Sequence, residues 1–208
     1  MSTPIIIDCD PGHDDAIAIL LALASPEVQV LGITTVGGNS DLENTTRNAL
    51  TVLEVAERTD VPVAAGCDHP LVRPLQVADH VHGKSGMDGP RLDPPTTRPV
   101  DAHAVDFIAE TIAASTEPVT LVPTGPLTNI ALLLRHFPDV KENIGRLVLM
   151  GGAIGLGNRT PAAEFNIWAD PEAASIVFES GLDVTMVGLD VTHQALMGRE
   201  HGERLRPT

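Results

Sequence analysis

Six short apolar runs rich in β-branched residues, at positions 5–7, 28–36, 61–64, 119–123, 147–150 and 184–189, alternate with five segments of helical periodicity, at 16–24, 42–58, 102–114, 127–137 and 171–179. Strand-like runs of three to nine residues separated by helical stretches predict an α/β fold, with a mostly parallel sheet covered by helices on both faces. At 208 residues the chain can bury one substantial core, and no stretch reads as a linker, so a single domain over 1–208 is expected. In such a sheet ligands bind beyond the carboxyl ends of the strands. The polar residues just past those ends are Asp10, Asp14 and Asp15, then Gly37-Gly38-Asn39, Thr124-Gly125 and Met150-Gly151-Gly152. They are expected to converge on one crevice.

The first of these turns is the densest in charge. Asp8, Asp10, Asp14 and Asp15 place four carboxylates within eight residues where a buried strand becomes an apolar helix. Unpaired, they would repel one another and lose hydration, so some stay protonated or a cation neutralises them. Oxygen ligands without a Cys or His cluster favour Ca²⁺ or Mg²⁺ over Zn²⁺. The plainer reading makes Asp14 a helix cap, places Asp15 against the positive helix end and leaves Asp8 and Asp10 solvated. That accounts for one or two acids, not four.

Composition narrows the partners. A net charge of −15 with only 13 Lys and Arg argues against nucleic acid or an anionic membrane surface and for a small substrate. Two Cys cannot form a disulfide framework, and Cys9 is expected to face the core. No secretory signal opens the chain, and the longest apolar stretch, 16–24, is too short to span a bilayer, so a cytoplasmic location is expected.

Two further segments carry polar chemistry. Residues 79–99 lack periodicity, hold three Gly and four Pro, and contain His80 and His82, as a lid or a solvated excursion would. Residues 158–166 combine Asn158, Glu164 and Asn166, the groups that read sugar hydroxyls. If extended, Glu164 and Asn166 share one face. Asp170-Pro171 reads as a helix cap, Trp168 as a core residue, and 198–208 as a frayed end.

Asp8-Cys9-Asp10-Pro11-Gly12-His13-Asp14-Asp15-Ala16 resembles the amino-terminal signature of the nucleoside hydrolases of the inosine-uridine type. Pro123-Thr124-Gly125-Pro126-Leu127-Thr128-Asn129, Met150-Gly151-Gly152 and Glu164-Phe165-Asn166 through Ala174 resemble its later motifs in order. The resemblance implies an open Rossmann-type fold, one bound Ca²⁺, and hydrolysis of a ribonucleoside to ribose and free base. It places Asp10, Asp15 and the Thr124 carbonyl on calcium, with Asp10 also the general base for a calcium-bound water. Asp14 and Asn166 would hold the ribose 2′- and 3′-hydroxyls with Asn39 nearby. Asn158, Glu164 and Met150 would lie toward the 5′ side and His82 near the base. It further implies a homo-oligomer, dimer or tetramer.

Relatives of that family continue well beyond the position of Thr208, and the further part carries another Asp ligand and a His that assists departure of the base. Asp190, His193 and His201 fall outside that motif and take neither role. Two other readings are an inactive or merely nucleoside- or calcium-binding relative, and a Mg²⁺ phosphohydrolase of the haloacid-dehalogenase kind. The second wants a Thr or Val soon after its second Asp and a phosphate-binding Lys, which Pro11-Gly12-His13 does not supply.

Overall fold

The computed structural model describes residues 2–89 and 91–204. Pro90 of the 79–99 segment and residues 205–208 of the expected frayed end lie outside the described residues. Six parallel strands, β1 (Thr3–Cys9), β2 (Val28–Thr35), β3 (Val63–Ala65), β4 (Val119–Pro123), β5 (Ile144–Met150) and β6 (Val184–Val187), form one sheet in the order β3-β2-β1-β4-β5-β6. The chain runs outward from β1 to β3, then returns to lay β4 against the other side of β1. That reversal opens a crevice beyond the ends of β1 and β4, where the Asp-rich turn and Thr124 sit.

Alternating side chains on β1 fix which helix layer each strand meets. Ile5, Ile7 and Cys9 pack with Ile33 against Ile19, Leu50 and Leu53 of α1 (His13–Ala24) and α2 (Leu42–Val55). Cys9 is fully buried, as expected, and its thiol donates to the Thr34 carbonyl. Ile6, with Leu121, Leu147 and Leu149, meets Ile108, Ile130, Leu133 and Val177 on the opposite face. After a single helical turn, α3 (Asp79–His82), these come from α4 (Ala104–Ala114), α5 (Thr128–His136) and α7 (Pro171–Phe178).

The two faces are not equally covered. On the α1 side, Val122 and Val148 are only half-buried and line an open groove with Ala18, Leu21 and Ala22. Leu147→Ala, which empties a sealed position, is expected to cost about 2–5 kcal/mol. Val148→Ala, one residue away but facing the groove, should cost about 1 kcal/mol or less. Urea unfolding of both variants measures the contrast.

Four short elements escape the sequence pattern: α3, α6 (Phe165–Ala169), α8 (Leu189–Thr192) and the 3-10 turn Pro138–Asn143. The expected extended stretch at 164–166 is therefore corrected. Glu164 accepts from the Asn166 and Ile167 amides as the cap of α6, so the chain coils there. Trp168 is not a core residue but half-buried, with the Arg159 guanidinium 4.4 Å above its ring. Within 198–204 the chain forms a short exposed helix, α9 (Arg199–Arg204), with no buried residue. Among the described residues no helix is long and apolar enough to cross a membrane.

Candidate active site

The four acids of the first turn separate into three environments. Asp8, at the end of β1, points inward: Oδ1 accepts from Thr34 Oγ1 (2.6 Å) and Asn129 Nδ2 (2.8 Å), while Oδ2 has no partner among the described residues. Burial pushes its carboxyl up to about 6 despite those two bonds. Asp10, 1% exposed, accepts the Asn39 N–H at Oδ2 (2.6 Å), and the Asn39 side-chain amide donates to the Asp10 carbonyl (3.1 Å). A Cβ at Gly38 would lie 2.1 Å from Oδ2 and one at Gly125 2.7 Å from Oδ1, so two backbones clamp this carboxylate and both positions require glycine.

Asp15 is buried on the first turn of α1, accepting Thr124 Oγ1 (2.6 Å) at Oδ1 and the Gly12 N–H (3.1 Å) at Oδ2. Burial, reinforced by Asp14, raises its carboxyl to about 7. Burial and then the neighbouring Asp15 hold Asp10 well above the usual carboxylate range. Asp14 alone is exposed. The solvated reading of Asp8 and Asp10 is thereby overturned, and the cap of α1 is Gly12 rather than Asp14.

The far wall comes from β4, β5 and α6. Asn166 Nδ2 donates to the carbonyls of Thr124 (2.8 Å) and Met150 (3.1 Å), tying the ends of two strands together. Glu164 Oε2 accepts the Gly152 N–H (2.9 Å) and Oε1 the Asn166 N–H (2.9 Å), so its charge fixes the Met150-Gly151-Gly152 turn. Asp170 caps α7 as expected, and it also accepts from Leu71 N and Thr128 Oγ1.

The 79–89 part of the expected lid lies over the turn. Asn48 Nδ2 donates both to the Pro11 carbonyl (3.0 Å) and to the Ser85 carbonyl (2.9 Å), and His13 Nε2 meets the Asp88 carbonyl (2.8 Å). His82 stacks on His13 with ring centroids 5.7 Å apart, and its buried Nδ1 has no partner among the described residues. Burial lowers its pKa, against the pull of Asp14.

These elements enclose a crevice of about 220 Å³ lined by Asp14, Asp15, Asn39, His82, Thr124, Met150, Asn158, Glu164 and Asn166. Of the ten residues singled out from sequence, only Asp10 is not on the wall; it lies beneath, behind Asn39. His80, Arg159 and Phe165 also line it. Phe165 and Arg159 were not singled out, though each adjoins a residue that was.

A cation fits the chemistry of this floor in part. Two buried carboxylates repel each other, Asp10 Oδ1 takes no hydrogen bond from the described residues, and the Thr124 carbonyl keeps a lone pair beyond Asn166. Yet among the described residues no three His, Cys, Asp or Glu side chains converge as a metal site. Any hard cation held here takes its remaining oxygens from carbonyls, water or substrate hydroxyls.

Residues 5–207 match the model of the inosine-uridine preferring nucleoside hydrolase family. The chain belongs to that family. Nucleoside hydrolases with similar sequence include the pyrimidine-specific ribonucleoside hydrolase RihA of Escherichia coli K12, 58% identical over 206 residues, 99% of this chain and 66% of RihA. A purine-preferring ribonucleoside hydrolase from Gardnerella vaginalis superposes with a TM-score of 0.93 at 39% identity, over 97% of this chain and 66% of its own. The plant nucleoside hydrolase PpNRh1 superposes at 0.87 with 41% identity, over 93% and 62%. This nucleoside hydrolase chain thus spans just under two thirds of the length of the curated relatives it matches. The family match accords with the resemblance carried by the four motifs, and the α/β sheet of the superposed structures with the expected fold class.

Proposed function

We propose that the crevice hydrolyses the N-glycosidic bond of ribonucleosides, pyrimidine ribonucleosides in preference, with Ca²⁺ held by Asp10, Asp15 and the Thr124 carbonyl. The observation that carries this reading is the Asp10–Asp15 pair: two buried, mutually repelling carboxylates, one of them clamped, at the floor of a crevice walled by amides. Structural acids are rarely buried in this way without a partner. The preference for pyrimidines rests on the 58% identity with RihA and on His82, rather than a tryptophan, at the lid position.

Each residue has a task its hydrogen bonds leave open. Asp10, held between Gly38 and Gly125 at the floor of the crevice, takes a proton from the attacking water. The water oxygen forms its bond to C1′ as the N-glycosidic bond breaks, the bonding pair leaving with the base. The two buried carboxylates stabilise the ribosyl-cation character that develops as these bonds exchange. Bound calcium would favour the ionised form of water and offset the charge of both acids.

Asn166 has spent both amide hydrogens on Thr124 and Met150, so its Oδ1 is left to accept from a ribose hydroxyl. Asn39 Nδ2 gives one hydrogen to the Asp10 carbonyl, its Oδ1 takes no bond from the described residues and can serve the same use, and exposed Asp14 supplies a third acceptor. Asn158, Glu164 and Met150 border the 5′ side, and His82 faces the base. We place the enzyme in the cytoplasm as a dimer or tetramer; sedimentation velocity reads the assembly.

A 2′-deoxyribonucleoside would leave buried acceptors without their donor. The kcat/KM for deoxyuridine is therefore expected to fall about 100-fold or more below that for uridine. Comparable turnover of the two would remove the hydroxyl-reading role of Asn166 and Asp14. Because a third of the relatives' length lies outside the match and only two acids converge, a nucleoside-binding protein without turnover is the second reading. Saturable uridine binding with no ribose released would establish it.

A further inference from the structure

We propose that Asn129 is a positioning residue for Asp10, a role that rests on the proposed function in taking Asp10 as the reacting carboxylate. Asn129 lies on the first turn of α5, fully buried, and does not reach the crevice. Its Nδ2 donates to Asp8 Oδ1 (2.8 Å) and to the Thr35 carbonyl (3.0 Å), and its Oδ1 accepts the Cys67 N–H (2.9 Å). One carboxamide therefore joins the end of β1, the end of β2 and the loop after β3, three segments far apart in sequence.

That junction leads to Asp10 by two routes. The Cys67 carbonyl accepts the Gly37 N–H (2.8 Å), which sets the loop whose Gly38 presses on Asp10 Oδ2 and whose Asn39 N–H bonds to it. Asp8, held by the same carboxamide, lies two residues before Asp10, and its carbonyl accepts the Thr124 N–H (2.8 Å) ahead of Gly125, the second side of the clamp. The carboxamide has no slack: a Cβ at Gly66 would lie 2.3 Å from its oxygen. Asp8 and Asn129 are buried polar groups that neither bind substrate nor fill apolar space. Their three contacts instead fix where both jaws of the clamp sit.

The test is Asn129→Asp, which keeps the acceptor for Cys67 but removes both donors. The deciding readout is amide hydrogen exchange at Asn39, measured by NMR on the whole chain without metal. Loss of the two donors, together with the carboxyl newly set against Asp8, is expected to speed Asn39 exchange about tenfold while amides of β5 exchange as before. Calcium affinity by titration calorimetry should fall with it.

Asn39 exchange within threefold of the parent, or an equal rise at β5, would make Asn129 an ordinary packing residue and overturn the proposal. If Asn129→Asp does not fold, Gly66→Ala displaces the same carboxamide by one methyl group and is judged by the same readout. Should the parent chain neither bind calcium nor release ribose, the proposed function fails. Asn39 exchange still decides whether Asn129 positions Asp10.

Discussion

Asp10→Asn is expected to lower hydrolysis by about 10² to 10⁴-fold, the range a general base supplies, while leaving the cation-free protein as stable as the parent or more so. The two effects diverge for one reason. The clamp between Gly38 and Gly125 holds a carboxylate beside buried Asp15, so the ionised form is placed for reaction at the expense of folding. An amide of the same shape still accepts the Asn39 N–H and removes the repulsion. Ribose release and urea midpoints on one preparation measure both quantities. Activity within tenfold of the parent would move the base elsewhere, and a large loss of stability would show that the Asp10 charge has a structural partner.

The second large effect is on stability against pH. The carboxyls of Asp8 and Asp15 are raised from about 3.8 to about 6 and about 7, and Asp10 is raised as well. A raised acid binds more protons folded than unfolded between its two pKa values, so stability falls as pH climbs through that window. Without divalent cations the protein should thus be more stable near pH 5 than near pH 8. At about 1.4 kcal/mol per unit, the part of the Asp8 window that lies above pH 5 alone contributes roughly 1.4 kcal/mol to that difference. Calcium, which binds the ionised acids of the folded state, should restore most of the loss at pH 8 and little at pH 5. Urea midpoints at both pH values, with and without calcium, check this. A flat profile would mean that the buried acids are paired in solution by groups other than a cation.

The parts of the site that the sequence made legible are those that topology alone positions. Once β-α alternation implies a parallel sheet, every strand must end on the same side, so Asp10, Asn39, Thr124 and Met150 had to meet. The sorting of the acids was not legible, because charge density does not say which carboxylate faces inward. Asp8 lies on the strand and turns to Asn129, whereas Asp14 sits on the outer side of the first turn of α1. Helices α3 and α6 went unread because a single turn shows no period, and the cap formed by Glu164 is a backbone bond without a sequence pattern of its own. The Arg159 stack on Trp168 likewise joins residues nine apart through the fold of a loop. Strand limits moved by a residue or two at the sheet edges: β3 begins at Val63 rather than Val61, and β6 stops at Val187 with Leu189 starting a helix.

Whether this turn holds calcium and activates water is read by hydrolysis of p-nitrophenyl riboside by the 208-residue chain. That leaving group needs little acid assistance, so the assay isolates the water side of the reaction. Release of p-nitrophenol is expected, abolished by a calcium chelator, restored by added calcium and lowered by Asp10→Asn to the extent given above. Folded protein that releases none at saturating calcium, or releases it equally in the presence of chelator, would contradict calcium-activated water at this turn.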